Sequence, residues 1–288
     1  MNRFENWTLA LFGSPPAGDL DRLGEVVDLD GYTEQCVDLT ADFRQQQEEG
    51  SMHKYAFAVP VLPGRSAQEP ARAYLEDMDG YLQSRHQMGV ALERVYLMPT
   101  PMGEFVSTYI ESDKDFVQGS RILGSSILPA DIRFRQLLKE VHGFDFDAPP
   151  AGPPPELIAE WWDPDVHVRK AGLAFVAPLQ AGKNEAGRAF AKEAFKGRVD
   201  EFTVSRRKLG ESGQVVVLNS TPQGDVLVVY HEGDDPAEAN RRFAASQDPF
   251  DVWFKEECKK IFPEYIDLNV PLPPIQTIWD RQPPIAAV

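Results

Sequence analysis

Five histidines (His53, His86, His142, His167 and His231), eight tyrosines and two cysteines are the side chains best suited to acid–base or nucleophilic chemistry here. No two histidines stand four residues apart beside a carboxylate partner, so the spacing shows no metal-ligating set and names no cofactor. A haem ligand would need only one histidine, and its spacing carries no signature. His231-Glu232 departs from the zinc-protease pattern because Asp235 stands where the second histidine belongs. Ala181-Gly-Lys-Asn184 departs from a phosphate loop at both ends, with Ala177 in place of the first glycine and Asn184 in place of Ser or Thr. A strand-to-helix turn accounts for it. Cys36 and Cys258 lie in distant segments, without disulfide or metal spacing, and read as two reduced thiols. Paired carboxylates and nucleophile–base pairs are not visible either. Any catalysis falls to a tyrosine or histidine acting as proton donor or acceptor.

The background against which such a group would work is acidic. Asp and Glu outnumber Lys and Arg by 45 to 29, giving a net charge of −16, which excludes a phosphate backbone or an anionic membrane as the natural partner. A hydrophobic content of 42% in 288 residues is enough for two ordinary domains with buried cores. No apolar run reaches the roughly twenty residues that cross a bilayer. The first thirteen residues are weakly signal-like, but Glu5 breaks the charge pattern and no small-residue cleavage site follows. A cytoplasmic protein is expected. Asn6-Trp-Thr8 and Asn219-Ser-Thr221 fit glycosylation sequons that such a location would leave unused.

What must position the chemistry is a repeat. Tyr55-Ala-Phe-Ala-Val-Pro60 aligns with Leu173-Ala-Phe-Val-Ala-Pro178 at an offset of 118, as Gly64-Arg65 does with Gly182-Lys183. At an offset of 121, Ser84-Arg85 and Gly89 match Ser205-Arg206 and Gly210, and Arg94 to Pro101 matches Val215 to Pro222. Tyr109, Glu111 and Asp113 then fall on Tyr230, Glu232 and Asp234, and both halves end in a proline run followed by a tryptophan, Trp161 or Trp279. Matches spread over a whole unit imply an internal duplication. The expected division is an N-terminal extension over 1–52, a first repeat with its proline-rich linker over 53–168, and a second repeat with its proline-rich tail over 169–288.

Each copy reads in the same order. Lys54 to Val59 is a strand ended by Pro60, and a helix N-capped at Ser66 carries an apolar stripe through Ala71, Tyr74, Met78, Tyr81 and Met88 until Gly89 closes it. Arg94 to Met98 and Phe105 to Ile110 form a hairpin across Pro99 to Gly103. A helical region broken at Leu128-Pro129 follows, and Gly143 to Phe146 supplies a fourth strand. The second copy repeats this with strands at 173–177, 215–218, 226–230 and 265–268, and helices over about 185–209, 236–245 and 249–261. Asp234-Asp235-Pro236 is a good helix start. This β-α-β-β-α-β order makes the fold class α+β, as two tandem ferredoxin-like units. A sheet with helices on one face leaves the other bare, and a covalent copy is an economical cover. Ala148 to Pro155 reads as a stiff polyproline spacer pinned by Leu157, Ile158, Trp161 and Trp162. The N-terminal fifty residues are expected to pack on the barrel or to mediate self-association.

With this element order the sequence resembles the dimeric α+β-barrel (ferredoxin-like) superfamily over about 53–147 and 171–268. The hairpin and the segment Asp248 to Phe254 are also similar to small uncharacterised bacterial proteins of this fold. The resemblance implies an intrachain, pseudo-dimeric barrel of antiparallel sheets. Its members include cofactor-independent monooxygenases, cyclases, lactone isomerases, haem enzymes and ligand-binding domains, so fold alone does not select a reaction.

Residues kept in both copies are expected to serve the fold, and polar differences on the inward sheet face to mark a pocket. Tyr109 and Tyr230 are kept on the third strands, and His86 replaces the second arginine of Ser205-Arg-Arg207. These three are the candidate catalytic groups. His86 also reads as a solvated residue near a helix end. Tyr96, Met98, Ser107 and Asn219 are candidate ligand contacts by strand parity, which leaves open which face is inward. Arg85 and Arg206 are expected in ion pairs, and His142, which matches Phe262, in a packing position. The leading function is a small-molecule enzyme or binding protein with its ligand between the two sheets. The alternative is a non-catalytic structural or interaction module, in which a homo-oligomer would fit.

Overall fold

The computed structural model describes residues 52–100, 103–148, 152–221 and 224–282. The N-terminal extension, with Asn6 and Cys36, lies outside the described residues. The first half runs β1 (His53–Pro60), α1 (Glu69–Glu76), α2 (Met78–Gln87), β2 (Val90–Thr100), β3 (Gly103–Ser112), α3 (Phe116–Ser125), α4 (Pro129–His142) and β4 (Glu156–Trp162). The second runs β5 (Ala171–Pro178), α5 (Asn184–Lys192), a π-helical turn (Glu193–Gly197), α6 (Val199–Leu209), β6 (Glu211–Thr221), β7 (Gly224–Gly233), α7 (Pro236–Ala245), α8 (Pro249–Lys259) and β8 (Gln276–Arg281). The first long helix expected in each copy is interrupted, at Asp77 in one and by the π turn in the other. In the first copy Ser66 stands outside the helix, and its hydroxyl accepts the Gln68 amide.

Two four-stranded antiparallel sheets result, in the orders β1-β3-β2-β8 and β4-β6-β7-β5. Pairing within the halves keeps the sequence offsets. His53 opposes Ser112 where Ala171 opposes Gly233, and the bulge between Val90 and Leu92 recurs between Glu211 and Gly213. The fold class is therefore α+β, with two such units forming an intrachain barrel. The fourth strands differ from expectation. Residues 143–146 and 265–268 are turns and irregular chain, and the strands that follow the proline runs take their place. Moreover, each crosses to the other half: β4 pairs with β6, and β8 pairs with β2. The spacer's Trp161 and Trp162 are thus sheet residues rather than surface pins.

Strand alternation places Ala56, Tyr96 and Tyr109 of one sheet against Ala174, Val215, Val217, Val228 and Tyr230 of the other, as a core between the sheets. This settles parity: the face bearing both tyrosines is inward. The opposite faces pack on helices, with Tyr55, Met88 and Ile110 in the first half and Val216, Val229, Phe202 and Phe254 in the second. Helix termini are closed by cations at matched sites. Arg135 donates to the carbonyls of Leu123 and Ser126 at the end of α3, and Lys255 to those of Ala244 and Ser246 at the end of α7.

His142 sits at the packing position expected of it, with Nδ1 bonded to the Pro60 carbonyl at 2.7 Å. Burial lowers its pKa below the ordinary 6.5, only partly opposed by that bond. The unfolded chain therefore takes up the proton first. Stability from this group is complete above about pH 6.5 and fades as pH falls below it. Exchange for the second half's residue, His142→Phe, should remove this component, read as a smaller difference between urea midpoints at about pH 8 and about pH 5.

Candidate functional site

The space between the sheets is filled. Tyr109 and Tyr230 stack there, with ring centres 3.8 Å apart and planes 5° from parallel. Tyr109 donates to Glu111 at 2.6 Å, and Tyr230 donates to Glu232 at 2.8 Å. Arg94 bonds the Tyr230 hydroxyl and Glu232, and Arg169 reaches both Glu111 and Glu232. Burial, reinforced by the neighbouring carboxylates, pushes both phenols far above their ordinary range. The pair is thereby held neutral and donates its protons to fixed acceptors. Such a network ties the two halves together.

The remaining sequence-derived candidates divide. Tyr96 joins the tyrosine pair in this core, with its hydroxyl unbonded among the described residues. Ser107 is fully buried opposite Tyr96 on β3, its hydroxyl likewise unbonded among the described residues. Asn219 donates to the Ala56 carbonyl across the halves at 3.2 Å. His86 is exposed on the last turn of α2, away from the tyrosines' core. Of the seven, Met98 alone lines the cavity described next.

Gly172 permits the close approach in the core. A Cβ there would lie 2.4 Å from the Tyr96 hydroxyl, 2.7 Å from Arg94 Nη1 and 2.8 Å from a Tyr230 ring carbon. Gly172→Ala should destabilise the protein by about 1–3 kcal/mol through overpacking, read as a lower urea midpoint.

A cavity of about 1070 Å³ opens on the other face of the second sheet. Its walls are Phe175 and Ala177 of β5, Val216 of β6, Val229 and His231 of β7, Phe190, Ala191 and Phe195 of the interrupted helix, Phe243 of α7, and Phe254 and Cys258 of α8. The irregular segment 263–273, where sequence analysis expects a strand, lines it too. Four successive residues, Phe175 to Pro178, face it although strand neighbours point oppositely, so it bends round the free edge of β5. Beyond that edge it reaches Ala58, Met98 and Phe105 at the mouth between the sheets.

On the matching face of the first half three aromatic rings meet. Tyr55 and Phe57 pack on Phe116 at 5.6 and 5.8 Å between ring centres. Phe116 follows the N-cap Asp115, and its counterpart after the N-cap Asp235 is Pro236, so the second half lacks that ring. Tyr55 is likewise reduced to Leu173.

Polar groups stand at one end of the hollow. His231 Nδ1 lies 3.0 Å from Glu211 Oε1, and its ring stacks on Phe175. Burial pushes the Glu211 carboxyl up, but the His231 imidazole and the Arg206 guanidinium outweigh it and hold it below the usual range. An imidazole held through one nitrogen leaves the other, Nε2, without a bond among the described residues, and His231 lines the cavity. That is the arrangement of a general acid or base. Arg206 is 2% exposed, caged by Phe202, Phe243 and Phe254, and donates from Nε to Gln214 Oε1 at 2.9 Å. Cys258 also lines the site, but burial pushes its thiol up, away from the nucleophilic thiolate. Among the described residues no three His, Cys, Asp or Glu side chains gather as a metal set, and no helix is long and apolar enough to cross a membrane.

His231, Glu211 and Gln214 escape a search for residues kept in both copies because they are differences. They stand where the first half has Ile110, Val90 and Glu93. The bulge that follows Glu211 turns β6 at this point, a common device for aiming a side chain.

No protein-family model matches the sequence, and no curated protein is detectably similar to it. Among solved structures, a candidate monooxygenase from Fusobacterium nucleatum aligns over 80% of this chain and 93% of its own, at 8% identity and a TM-score of 0.41. An anthrone oxidase-like protein aligns over 83% and 98%, at 11% identity and a TM-score of 0.45. A candidate monooxygenase from Lactobacillus acidophilus aligns over 80% and 95%, at 9% identity and a TM-score of 0.44. At these scores no substrate or mechanism passes from them to this chain.

Proposed function

We propose that this chain is a fused pseudo-dimer, duplicated within one polypeptide, that binds a largely apolar small molecule in the cavity behind its second sheet. One observation carries the reading. The helix-covered face of the second sheet holds a large, mostly apolar hollow with His231, Glu211 and Gln214 at one end, where the first half has Ile110, Val90 and Glu93. A hollow maintained by several coordinated replacements is a binding site more readily than a packing fault, because an empty cavity this large costs stability and returns nothing to the fold. The His231–Glu211 pair gives such a site an acid–base group of its own, so proton transfer to or from the ligand needs nothing beyond this chain.

The test is binding of a neutral apolar dye, Nile red, to the folded protein. Its fluorescence should rise and saturate at one dye per chain, and Ala191→Phe, which puts a ring into the cavity from α5, should weaken binding at least tenfold. Native mass spectrometry of protein purified without added ligand should show an excess over the 32.3 kDa chain. No saturable binding, or binding indifferent to Ala191→Phe, sinks the reading in favour of a structural or interaction module.

A further inference from the structure

Arg85 and Arg206, buried at matched positions of the two halves, are built alike but finished differently. Arg85 meets Glu93 with two bonds, from Nε at 2.7 Å and from Nη2 at 2.9 Å, and both its in-plane donors on that side are used. At the second arginine the partner is Gln214, whose single carbonyl oxygen takes Nε alone. Nη1 of Arg206 goes to Ser205 at 3.0 Å. Glu211 Oε2 and Asp251 Oδ1 stay at ion-pair distances of 3.5 and 3.6 Å. Among the described residues Nη2 of Arg206 has no hydrogen-bond partner, and the guanidinium lines the cavity. Gln214 gives its oxygen to Arg206, and its NH₂ has no partner among the described residues. His231 Nε2 completes a group of three nitrogens at the polar end.

We propose that this end receives the carboxylate of a long-chain monocarboxylic acid, whose apolar chain runs along the second sheet towards the mouth at Met98. This rests on the cavity reading above and names its ligand. Arg206 Nη2 and the Gln214 NH₂ are donors without a partner among the described residues, which suits an acceptor head, and a guanidinium edge matches a carboxylate geometrically. Charge at this end is balanced before a ligand enters, Arg206 and Lys255 standing against Glu211 and Asp251, so a bound carboxylate takes its charge-assisted bond from Arg206 Nη2. Length agrees as well. From His231 to Val226, both on the cavity wall, β7 covers five residues or about 17 Å, so the site is longer than a single ring system.

The experiment is displacement of bound Nile red by sodium dodecanoate and by 1-dodecanol, which share a chain and differ in the head. Dodecanoate should displace the dye at a concentration at least tenfold lower. Gln214→Glu gives Arg206 the bidentate carboxylate partner that Arg85 has, and in protein whose circular dichroism and Nile red binding match the wild type the preference for the acid should vanish. His231→Ile installs the first half's residue and should reduce the preference several-fold. Equal displacement by acid and alcohol in the wild-type protein, or an undiminished preference in Gln214→Glu, overturns the proposal while leaving the cavity reading intact. Failure of Nile red to bind at all removes the cavity reading itself and this proposal with it.

Discussion

Glu232→Ala should lower the stability of the whole protein by about 3–5 kcal/mol, the cost of stranding buried charges whose partner has been removed. Glu232 is 2% exposed and accepts from four groups: the Tyr230 hydroxyl, Arg94, Arg169 and the Lys170 amide. Two of the donors are guanidinium groups, Arg94 also meeting the half-exposed Asp280 at the rim and Arg169 also meeting Glu111. With a methyl group in its place, Arg94 and Arg169 lose a shared acceptor at once, and Arg94, whose side chain is 4% exposed, gains little water in exchange. Glu232→Gln keeps an acceptor oxygen and should recover part of the loss. The urea midpoint reads both. Substitution in an exposed pair such as Lys139 and Asp145 should leave the midpoint unchanged, since solvent already screens it. A loss at Glu232 no larger than at that surface pair would mean that the two sheets are not held by this network.

This cluster and the cavity sit on opposite faces of one sheet, and the sequence reveals them unequally. Tyr230 and His231 are neighbours on β7, so their side chains point in opposite directions. Residues kept at the repeat offset, Tyr109 with Tyr230 and Glu111 with Glu232, belong to the face on which the halves meet, where each must fit the other's copy. Ligand-facing residues have no such obligation and can diverge. That is why reading the repeat locates the joint between the sheets and not the hollow behind one of them. The signal for the hollow's polar end is present in the same alignment, as three polar residues standing where the first half has Val90, Glu93 and Ile110. Interpreting it needs to be told which face carries the helices. Periodicity alone does not say.

The strands at the core of each half are legible because alternation and turn residues are local signals. Pairs such as β2 with β3 are joined by a tight hairpin and need no distant information. Residues 143–146 and 265–268 carry an apolar composition that suits a strand, yet they end at the helix layer. The sequences that do pair, Glu156–Trp162 and Gln276–Arg281, mix charged and aromatic residues because they lie at sheet edges with one face partly open. Their partners are more than fifty residues away in the other half, and no local pattern encodes that choice.

Exchange of the fourth strands has a consequence that a single substitution exposes. Trp279 belongs to β8, at the end of the chain, yet it is 4% exposed among first-half residues. Its ring meets Tyr81 at 5.0 Å and Tyr74 at 6.2 Å, and its Nε1 donates to the Tyr81 hydroxyl at 3.1 Å. Tyr81 in turn donates to Glu93, the partner of Arg85, so the indole closes a chain of buried polar contacts as well as filling space. Trp279→Ala should therefore cost about 3–5 kcal/mol, from the cavity left by the indole and from the lost donor. The loss should also have an address. Amide hydrogen exchange should accelerate in α1, α2 and β2, far earlier in sequence, more than in α5 to α8, which are closer along the chain. If each half instead kept its own fourth strand, the substitution would loosen the second half and spare Tyr74 and Tyr81. The first outcome makes the halves mutually dependent for completing their sheets. Each sheet is then completed by a strand that the other half supplies, so neither half keeps its register alone.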